Sequence, residues 1–317
     1  MAFKYHIIKL IYIKRINTFN PFFSYYKIGD IMSLFYNWKF YIVFYLIVSV
    51  IFNIYYKKSI EHMDNSGAMT IVIQMLASVF TLFLIPFYEI KISTNLTTYI
   101  FLFIAIIFYT LNDRLGTLVR NKLSASIYSI MKQLSIVFML VFGIVISKER
   151  ITFYNLIGSI LIILANILIL YKHDKLKINK YIICGVIANI SLAIAMIIDV
   201  SYSNEFNLAI YVLLTTFFPS ILIFVIEKIK IKSLIIEYKN SNKASLYLTS
   251  ISWIIMMISK ISAYRYGKVI LVAPLSSLSV ILISFFEYFV LRDKNNIKRK
   301  IICSLIIILG IILIKYF

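Results

Sequence analysis

The strongest constraint on this 317-residue chain is a series of long apolar runs separated by short charged segments. A helix of about 20 apolar residues crosses the hydrocarbon core of a bilayer. The runs are continuous and do not alternate with polar residues, so the lipid-facing strands of a membrane barrel are not expected. Charged residues make up 15% of the chain and apolar residues 62%, which leaves too little charge to cover a water-soluble globule of this size. The sequence therefore predicts an all-α polytopic membrane protein.

Dividing the chain from charge to charge predicts ten transmembrane helices. They are Phe40–Tyr56, Ala68–Tyr88, Leu96–Leu111, Leu123–Ser147, Ile151–Tyr171, Tyr181–Val200, Phe206–Ile226, Ala244–Ser259, Val269–Leu291 and Ile301–Ile314. The third, eighth and tenth runs are short, and we expect them to extend where a flanking Lys or Arg side chain reaches back to the headgroups.

Residues 1–39 precede the first span and are predicted to form an N-terminal tail. The segment YHIIKLIYIKRI at 5–16 is too short and too charged to cross a bilayer, and it suits a helix lying at the membrane interface. Met32 begins the stretch MSLFYNWKF, which leads directly into the first span, so Met32 is an alternative start of the protein. A peptide from residues 1–31 in a digest of the native protein would exclude that alternative.

The chain aligns with itself at a shift of 144 residues. At this shift the basic–acidic–basic elbow Lys148–Arg150 meets a similar elbow at Arg292–Lys294. The repeat predicts a first five-helix half at 40–171, a linker at 172–180 and a second five-helix half at 181–317. An odd number of spans in each half requires the two halves to be inverted across the membrane, a recurrent plan among transporters.

Motifs in both halves carry a family resemblance. The first half has Glu149 in its elbow and then the helix IGSILIILANILIL, and the second half contains APLSSLSVILISFFEYFVLRDK, with Ala273, Pro274 and Asp293. These motifs resemble the EamA-type members of the drug/metabolite transporter superfamily. The resemblance covers about residues 40–317 and implies a ten-span secondary transporter without a cofactor.

The chain departs from the family pattern in its first half. Ile130 stands where Pro274 stands in the second half. The family's glycine in the last helix of each half is present as Gly310, whereas in the first half Asn166 aligns with it and Gly158 comes earlier. The motifs therefore support the superfamily better than any particular substrate.

Lys132 is the clearest candidate for a substrate contact. It lies well inside the fourth predicted span, where an ionisable residue costs roughly 2.5–3.5 kcal/mol on insertion scales and so indicates a function. Ser129 and Ser135 share its helical face, which is small and polar, as expected of a helix that lines a water-filled cavity. An ammonium group there would attract a carboxylate or a phosphate. The alternatives are an internal ion pair without a substrate role and an incorrectly drawn span.

Three further residues complete the predicted cavity. Asp113 shares a helix face with Tyr109 if the third helix continues past Leu111, and it would then be a partner for Lys132 or a proton site; otherwise it ends a helix at the headgroups. Ser276 and Ser279 lie on one stripe of the ninth span, and Ser276 is the repeat mate of Lys132. In the eighth span, the position of Lys260 favours a role as an anchor at the membrane interface. The position of Trp253 favours packing in the protein interior.

The remaining composition excludes several kinds of site. The net charge of +20 comes from lysines and arginines between the apolar runs, where they face headgroups, so no nucleic-acid partner is expected. Two cysteines and three histidines are too few and too dispersed for a metal centre, and no Gly-rich phosphate loop occurs. We expect no metal, no cofactor and no ATP.

Charge counts leave the orientation undecided. With ten spans, thirteen lysines and arginines fall on the side of the termini and nineteen on the other side. The positive-inside rule would therefore place the termini outside, whereas the family resemblance places them in the cytoplasm.

The sequence as a whole predicts a secondary transporter that moves a small polar, anionic metabolite by alternating access. Its partners would be that substrate and membrane lipid, with proton coupling or exchange both compatible, and we expect an integral protein of a bacterial cytoplasmic membrane. Two other classes stay open: a membrane-embedded lipid-modifying enzyme, and a structural membrane protein in which the Lys132 stripe packs dry against its neighbours.

Overall fold

The computed structural model of the protein describes a large part of the chain. The described residues are 37–122, 152–170, 180–279 and 297–316, together with Lys132, Ser135, Phe138, Met139, Phe142, Leu282, Ile283 and Phe286. Residues 1–36, both charged elbows, most of the predicted linker and Ser129 lie outside this set.

Every regular element in the described ranges is helical. The α-helices are α1 (Trp38–Ser59), α2 (Ser66–Leu82), α3 (Leu96–Lys122), α4 (Phe153–Leu170), α5 (Lys180–Tyr202), α6 (Leu208–Ile226), α7 (Ile231–Asn240), α8 (Lys243–Tyr266), α9 (Val269–Ser276) and α10 (Ile297–Tyr316). Short 3₁₀ turns follow α2 at Ile85–Phe87 and α5 at Ser203–Glu205. Lys132 and the other isolated residues of the predicted fourth span are also helical.

Five of the described helices are long and apolar enough to cross a membrane. They are α1, α3, α5 with its following turn, α6 and α8, which correspond to the predicted spans one, three, six, seven and eight. Within the described residues, α2 and the first part of α4 are shorter apolar helices. The prediction of an all-helical protein with membrane-spanning segments is confirmed.

The helix α1 has one exposed apolar face and one buried face. Val43 and Ile47, one turn apart, are 57% and 55% exposed, whereas Tyr45, Ser49 and Phe52 on the other side are buried. A row of exposed apolar side chains on a long helix suits a lipid environment, in which such side chains need no cover. The side chains of Tyr45, Ser49 and Phe52 therefore point into the bundle.

Asparagine side chains begin four of the helices. Asn37, Asn65, Asn207 and Asn242 precede α1, α2, α6 and α8, and each side chain accepts a hydrogen bond from a backbone N–H of the first turn. Those N–H groups have no partner within the helix, so a capping oxygen stabilises the helix start.

The longer helices pack in four main pairs. Contacts are most extensive between α1 and α8, α3 and α5, α4 and α10, and α2 and α6.

Hydrogen bonds between segments define the two ends of the bundle. At end A, where α1 begins, the Asn207 side chain donates to the Tyr88 carbonyl at 3.2 Å and Thr98 donates to Glu205 at 2.6 Å. At end B, where α1 finishes, Tyr56 and Thr117 share a hydrogen bond of 2.7 Å. The starts of α3 and α6 and the end of α2 therefore lie at end A, and α1 and α3 both finish at end B.

Several elements differ from the sequence-based boundaries, among them the following three. The helix α3 continues past Leu111 to Lys122, and its charged residues find side-chain partners, including an ion pair between Arg114 and Glu227. The loop expected between the seventh and eighth spans contains α7. The ninth span is interrupted by a turn at Ser277, whose backbone N–H bonds to the Pro274 carbonyl at 3.0 Å.

Candidate functional site

A cavity of about 80 Å³ lies between the central helices. Its lining residues come from α1, α3, α5, α8 and the predicted fourth span. They are Tyr45, Phe52, Tyr56, Tyr109, Asn112, Asp113, Gly116, Thr117, Arg120, Lys132, Leu192, Met196, Trp253, Met256, Met257 and Lys260.

Three cations face this cavity from three different helices. Arg120 on α3 packs its guanidinium over the Tyr56 ring at 4.6 Å and donates to Asn53 at 3.2 Å. Lys260 on α8 lies over the Tyr45 ring at 5.8 Å. Cation–π contacts of this kind orient a positive charge without neutralising it. The cavity wall is therefore strongly positive.

Lys132 belongs to this positive wall, as the sequence analysis anticipated for a cavity-lining residue. It is half-buried and helical. Among the described residues, its ammonium group forms no ion pair or hydrogen bond.

Asp113 also lines the cavity, but its carboxylate is occupied. Gln74 donates to one oxygen at 2.7 Å and Asn112 donates to the other, also at 2.7 Å. Asp113 and Lys132, both described, do not form the ion pair that the sequence suggested as one alternative. Neutral amide donors hold the carboxylate in place, so it does not cancel the charge of Lys132.

The three described serines of the predicted set, Ser135, Ser276 and Ser279, do not line the cavity. Ser135 donates to the carbonyl of Lys132 at 2.8 Å, and Ser276 donates to the carbonyl of Ala273 at 2.6 Å, so both hydroxyls are used within their own helices. Ser279 is buried close to the side chain of Tyr45, which does line the cavity. Serine hydroxyls in membrane helices often bond in this way to the preceding turn.

Apolar and thioether side chains complete the wall. Trp253 and Met257 on α8 are 7% exposed, and Phe52 on α1 packs against Trp253 with ring centroids 6.0 Å apart. A surface of aromatic rings and thioethers beside cations fits an organic anion with an apolar body. Both α8 residues that the sequence favoured as anchor or packing, Lys260 and Trp253, thus belong to the cavity.

Sequence reasoning missed two charged residues of this region. Arg120 is one of several charges that follow the third apolar run, and nothing in the local pattern separates it from a headgroup anchor. Asp199 is fully buried on α5 and accepts hydrogen bonds from Tyr109 and Tyr211. An acidic residue at the end of the run IANISLAIAMIID was a usable signal, since acids inside apolar spans are costly.

End A of the bundle is tied together by polar contacts. Ser93 and Thr98 both donate to Glu205, at 2.5 and 2.6 Å, and the Lys91 ammonium donates to the Asn204 carbonyl at 2.7 Å. Arg265 at the end of α8 donates to the Ser203 carbonyl. We call these contacts of Lys91, Ser93, Thr98, Ser203–Glu205 and Arg265 the end A network. They join segments that follow α2 and α5, which belong to different halves of the chain.

No group suited to a metal ion is present among the described residues. The cavity lies between helices, where small-molecule sites are common, and its positive side chains can attract an anion.

Comparisons with known proteins agree with a transporter. Residues 36–171 match the model of the EamA-like transporter family. No curated protein matches the chain. One solved structure, described simply as the crystal structure of a protein, aligns with a TM-score of 0.68 at 8% identity, over 87% of this chain and 95% of the other. At such low identity the likeness shows a shared fold.

The family match begins just before α1 and ends just after α4. It therefore covers the first predicted half, including α3 with Asp113 and Arg120 and the predicted fourth span with Lys132. Residues 36–171 are thus similar to the EamA-like transporter family, which belongs to the drug/metabolite transporter superfamily, and over that part of the chain the resemblance inferred from the motifs is confirmed.

Proposed function

We propose that this protein is a ten-span secondary transporter that moves a small organic anion across the membrane by alternating access. The observation that carries the proposal is the convergence of Arg120, Lys132 and Lys260 on one cavity, where Asp113, the one carboxylate among the described lining residues, is held by amide donors. Positive charge inside a membrane protein is costly, and a bound anion offsets that cost. The aromatic and thioether wall favours an anion with an apolar body over a bare inorganic ion.

The helix spacing supports two five-helix repeats. Helices α1 and α5 begin at Trp38 and Lys180, 142 residues apart, and α2 and α6 begin at Ser66 and Leu208, also 142 apart. For α3 with α8 and α4 with α10, the starting residues lie 147 and 144 apart. These spacings agree with the shift of 144 residues found in the sequence.

The helix pairing supports an inverted relation between the repeats. In the proposed repeat, α1 corresponds to α5 and α3 corresponds to α8. A two-fold rotation that exchanges the two repeats then converts the α1–α8 pair into the α5–α3 pair. Both pairs are among the most extensive helix contacts. The α2–α6 and α4–α10 pairs would each lie on the axis. Direction agrees as well, because α1 begins at end A whereas α5 finishes there.

The positions of the lining residues support alternating access. Tyr56, Thr117 and Arg120 lie in the last turns of α1 and α3, so the cavity extends toward end B. The end A network joins segments of the two halves at the opposite end. This arrangement fits a carrier that faces end B, and transport would require the end A network to open.

A charge-matched ligand pair tests the proposed substrate class. Benzoate and benzamide share one apolar body, and benzoate alone carries a negative charge. We expect benzoate to raise the unfolding temperature of purified protein and benzamide to leave it unchanged. A ligand at about 100 times its dissociation constant stabilises the folded state by about 2.7 kcal/mol, which such a measurement detects.

Variants assign the effect to the cavity. Lys132→Ala should abolish the shift caused by benzoate, while Lys239→Ala, which removes an exposed lysine of α7, should keep it. Equal stabilisation by benzamide, or an undiminished benzoate effect in a folded Lys132→Ala protein, would contradict an anion site at Lys132 and favour a general metabolite carrier.

A further inference from the structure

A buried carboxylate lies directly behind the cavity wall. Asp199 on α5 is fully shielded from solvent, and its two oxygens accept hydrogen bonds from the hydroxyls of Tyr109 on α3 and Tyr211 on α6, the latter at 2.7 Å. Tyr109 lines the cavity, whereas Asp199 does not. One hydroxyl group therefore stands between the carboxylate and any molecule in the cavity.

The charges that face Asp199 come from α8. Lys260 and Arg265 act on it electrostatically, and the facing groups on α3 and α6 are the two tyrosines. Asp113 is the nearest other acid and faces Tyr109. Asp199, Lys260 and Arg265 are all described, and no ion pair of 4.0 Å or less joins the carboxylate to either cation.

This environment suits a carboxylate that changes its protonation state. An ionised carboxylate in a buried site is expensive unless charged donors pair with it, and here both hydrogen bonds come from neutral hydroxyls. The same hydroxyl groups can accept a hydrogen bond from a protonated acid, because a tyrosine oxygen is both donor and acceptor. Both forms of Asp199 can therefore be accommodated without moving a helix.

Lys260 links this carboxylate to the cavity. It lines the cavity, and it also acts electrostatically on Asp199. When Asp199 is ionised, its negative charge offsets part of the field of Lys260. When Asp199 is protonated, the full charge of Lys260 acts on a molecule in the cavity.

We propose that Asp199 is a proton-binding site, reached from the cavity through Tyr109 and coupled by Lys260 to the anion, so that one proton and one anion are carried together. This inference rests on the proposed function and names its coupling ion. Protonation of Asp199 strengthens anion binding, and by thermodynamic reciprocity anion binding strengthens proton binding by the same factor. Charge is balanced in the loaded carrier, because the proton and the anion have opposite signs.

Infrared spectroscopy tests the proton site without any ligand. In a pH titration of the protein in lipid nanodiscs, wild type should gain, at low pH, a carboxylic-acid C=O band at the high frequency typical of an acid shielded from water, and Asp199→Asn should lack it. Asp64→Asn, which removes an exposed carboxylate at end B, should keep the band. Tyr211→Phe provides a milder second variant: it removes one donor to the ionised form, so the band should appear at a higher pH.

Calorimetry tests the coupling. Benzoate is titrated into the protein in buffers of different ionisation enthalpy, within a pH range in which benzoate itself stays ionised. Wild type should take up a fraction of a proton, up to one, for each benzoate bound. Its affinity should fall as the pH rises through the titration of Asp199, by about 5- to 150-fold, the usual range of coupling between sites. Asp199→Asn should take up no proton through this site and bind benzoate as tightly as wild type does at low pH.

The outcomes separate this inference from the proposed function. Benzoate binding with unchanged proton uptake in Asp199→Asn, or an infrared band that survives this substitution, would overturn the proton site while leaving the anion carrier in place. Failure of wild type to bind benzoate or inorganic phosphate would overturn the proposed function and the coupling together. In that case the infrared band still decides whether Asp199 binds a proton.

Discussion

At the scale of single residues, Glu237 illustrates how one carboxylate joins two helices. It lies on α7, is buried, and one of its oxygens accepts the backbone N–H groups of Asp64 and Asn65 at 3.1 and 2.6 Å. Those N–H groups lie at the start of α2, where helix N–H groups need acceptors and the helix dipole favours negative charge. Glu237 therefore attaches α7 to the start of α2.

This residue gives the stability of the protein a pH dependence. Burial raises the pKa of Glu237, and its two backbone hydrogen bonds counteract that rise in part. Between the ordinary and the raised pKa, the folded protein binds more protons than the unfolded protein. Its free energy of unfolding therefore decreases as the pH rises through that window. Glu237→Gln should lose this decrease, as measured by thermal unfolding at a series of pH values.

A neighbouring carboxylate is the control for that experiment. Glu61 is exposed in the same α1–α2 loop, and Glu61→Gln should leave the pH profile of unfolding as it is in wild type. If Glu237→Gln and wild type have parallel profiles, burial of this carboxylate does not affect stability as described.

At the residue scale, the sequence identified a cavity-lining residue where the pattern lay within a single helix. Lys132 stands out because its whole helical face is small and polar, and the structure places it in the cavity wall. Arg120 gave no such signal, because a cation at the end of an apolar run is normally an interface anchor. The partners of Asp199 come from α3 and α6, which are distant in the sequence, so its cluster required the tertiary structure.

At the scale of helices, the pair α4–α10 depends on two glycines. A Cβ added to Gly310 would lie 2.7 Å from the backbone oxygen of Gly158 and 2.8 Å from a side-chain carbon of Ile162. Small residues let membrane helices approach until their backbones touch, which maximises packing where the hydrophobic effect does not act. The glycine that seemed displaced in the first half is thus the contact partner of Gly310.

Gly310→Ala should therefore destabilise the protein by about 1–3 kcal/mol, the usual cost of forcing extra volume into a packed contact. The backbone oxygen of Gly158 cannot move aside as a flexible side chain would. The measurement is the unfolding midpoint in detergent or nanodiscs. Leu309→Ala changes the adjacent residue, which is 58% exposed, and it should have a small effect. Equal effects of the two substitutions would show that the close approach contributes no stability.

Helix identities were easier to predict than helix ends. The starts and ends of apolar runs follow lipid contact, whereas α3 extends eleven residues beyond its run because Arg114 and Arg120 find side-chain partners on other segments. The helix α7 was missed because its charges indicated a loop. Its pattern is amphipathic instead, with Leu234 and Glu237 packed inward and Lys232 and Lys239 exposed.

At the scale of the whole molecule, the proposed inverted repeat makes a topological prediction. The residues just before α1 and just before α5 should lie on opposite sides of the membrane. In a protein with Cys184 and Cys303 replaced by Ala, single cysteines at Asn37 and Lys180 should react with an impermeant thiol reagent from opposite sides of sealed vesicles.

A third position provides the internal check for this labelling. A cysteine at Lys57, near the end of α1, should react from the same side as the Lys180 position. Reaction of the Asn37 and Lys180 positions from one common side would exclude inversion and require parallel repeats or a different number of spans.

The helical, membrane-spanning character of the chain was predictable from its apolar runs, and the proposed two-repeat plan stays a prediction. The 144-residue shift appears in the charged elbows, and the described helices α1–α3 and α5–α8 begin at nearly the same spacing. The cavity was less accessible, because its wall combines side chains from five segments. Of the predicted substrate residues, Lys132 and Asp113 line it, while Ser135, Ser276 and Ser279 support its walls.

Transport itself is the most direct test of the account. Protein is reconstituted into liposomes preloaded with unlabelled benzoate, and uptake of labelled benzoate is followed in wild type, Lys132→Ala and the control Lys239→Ala. The account predicts saturable exchange in wild type and in Lys239→Ala, its loss in Lys132→Ala, and no exchange of labelled benzamide by any of the three. Exchange of benzamide at the rate of benzoate, or benzoate exchange that persists in Lys132→Ala, would contradict an anion carrier built around this cavity.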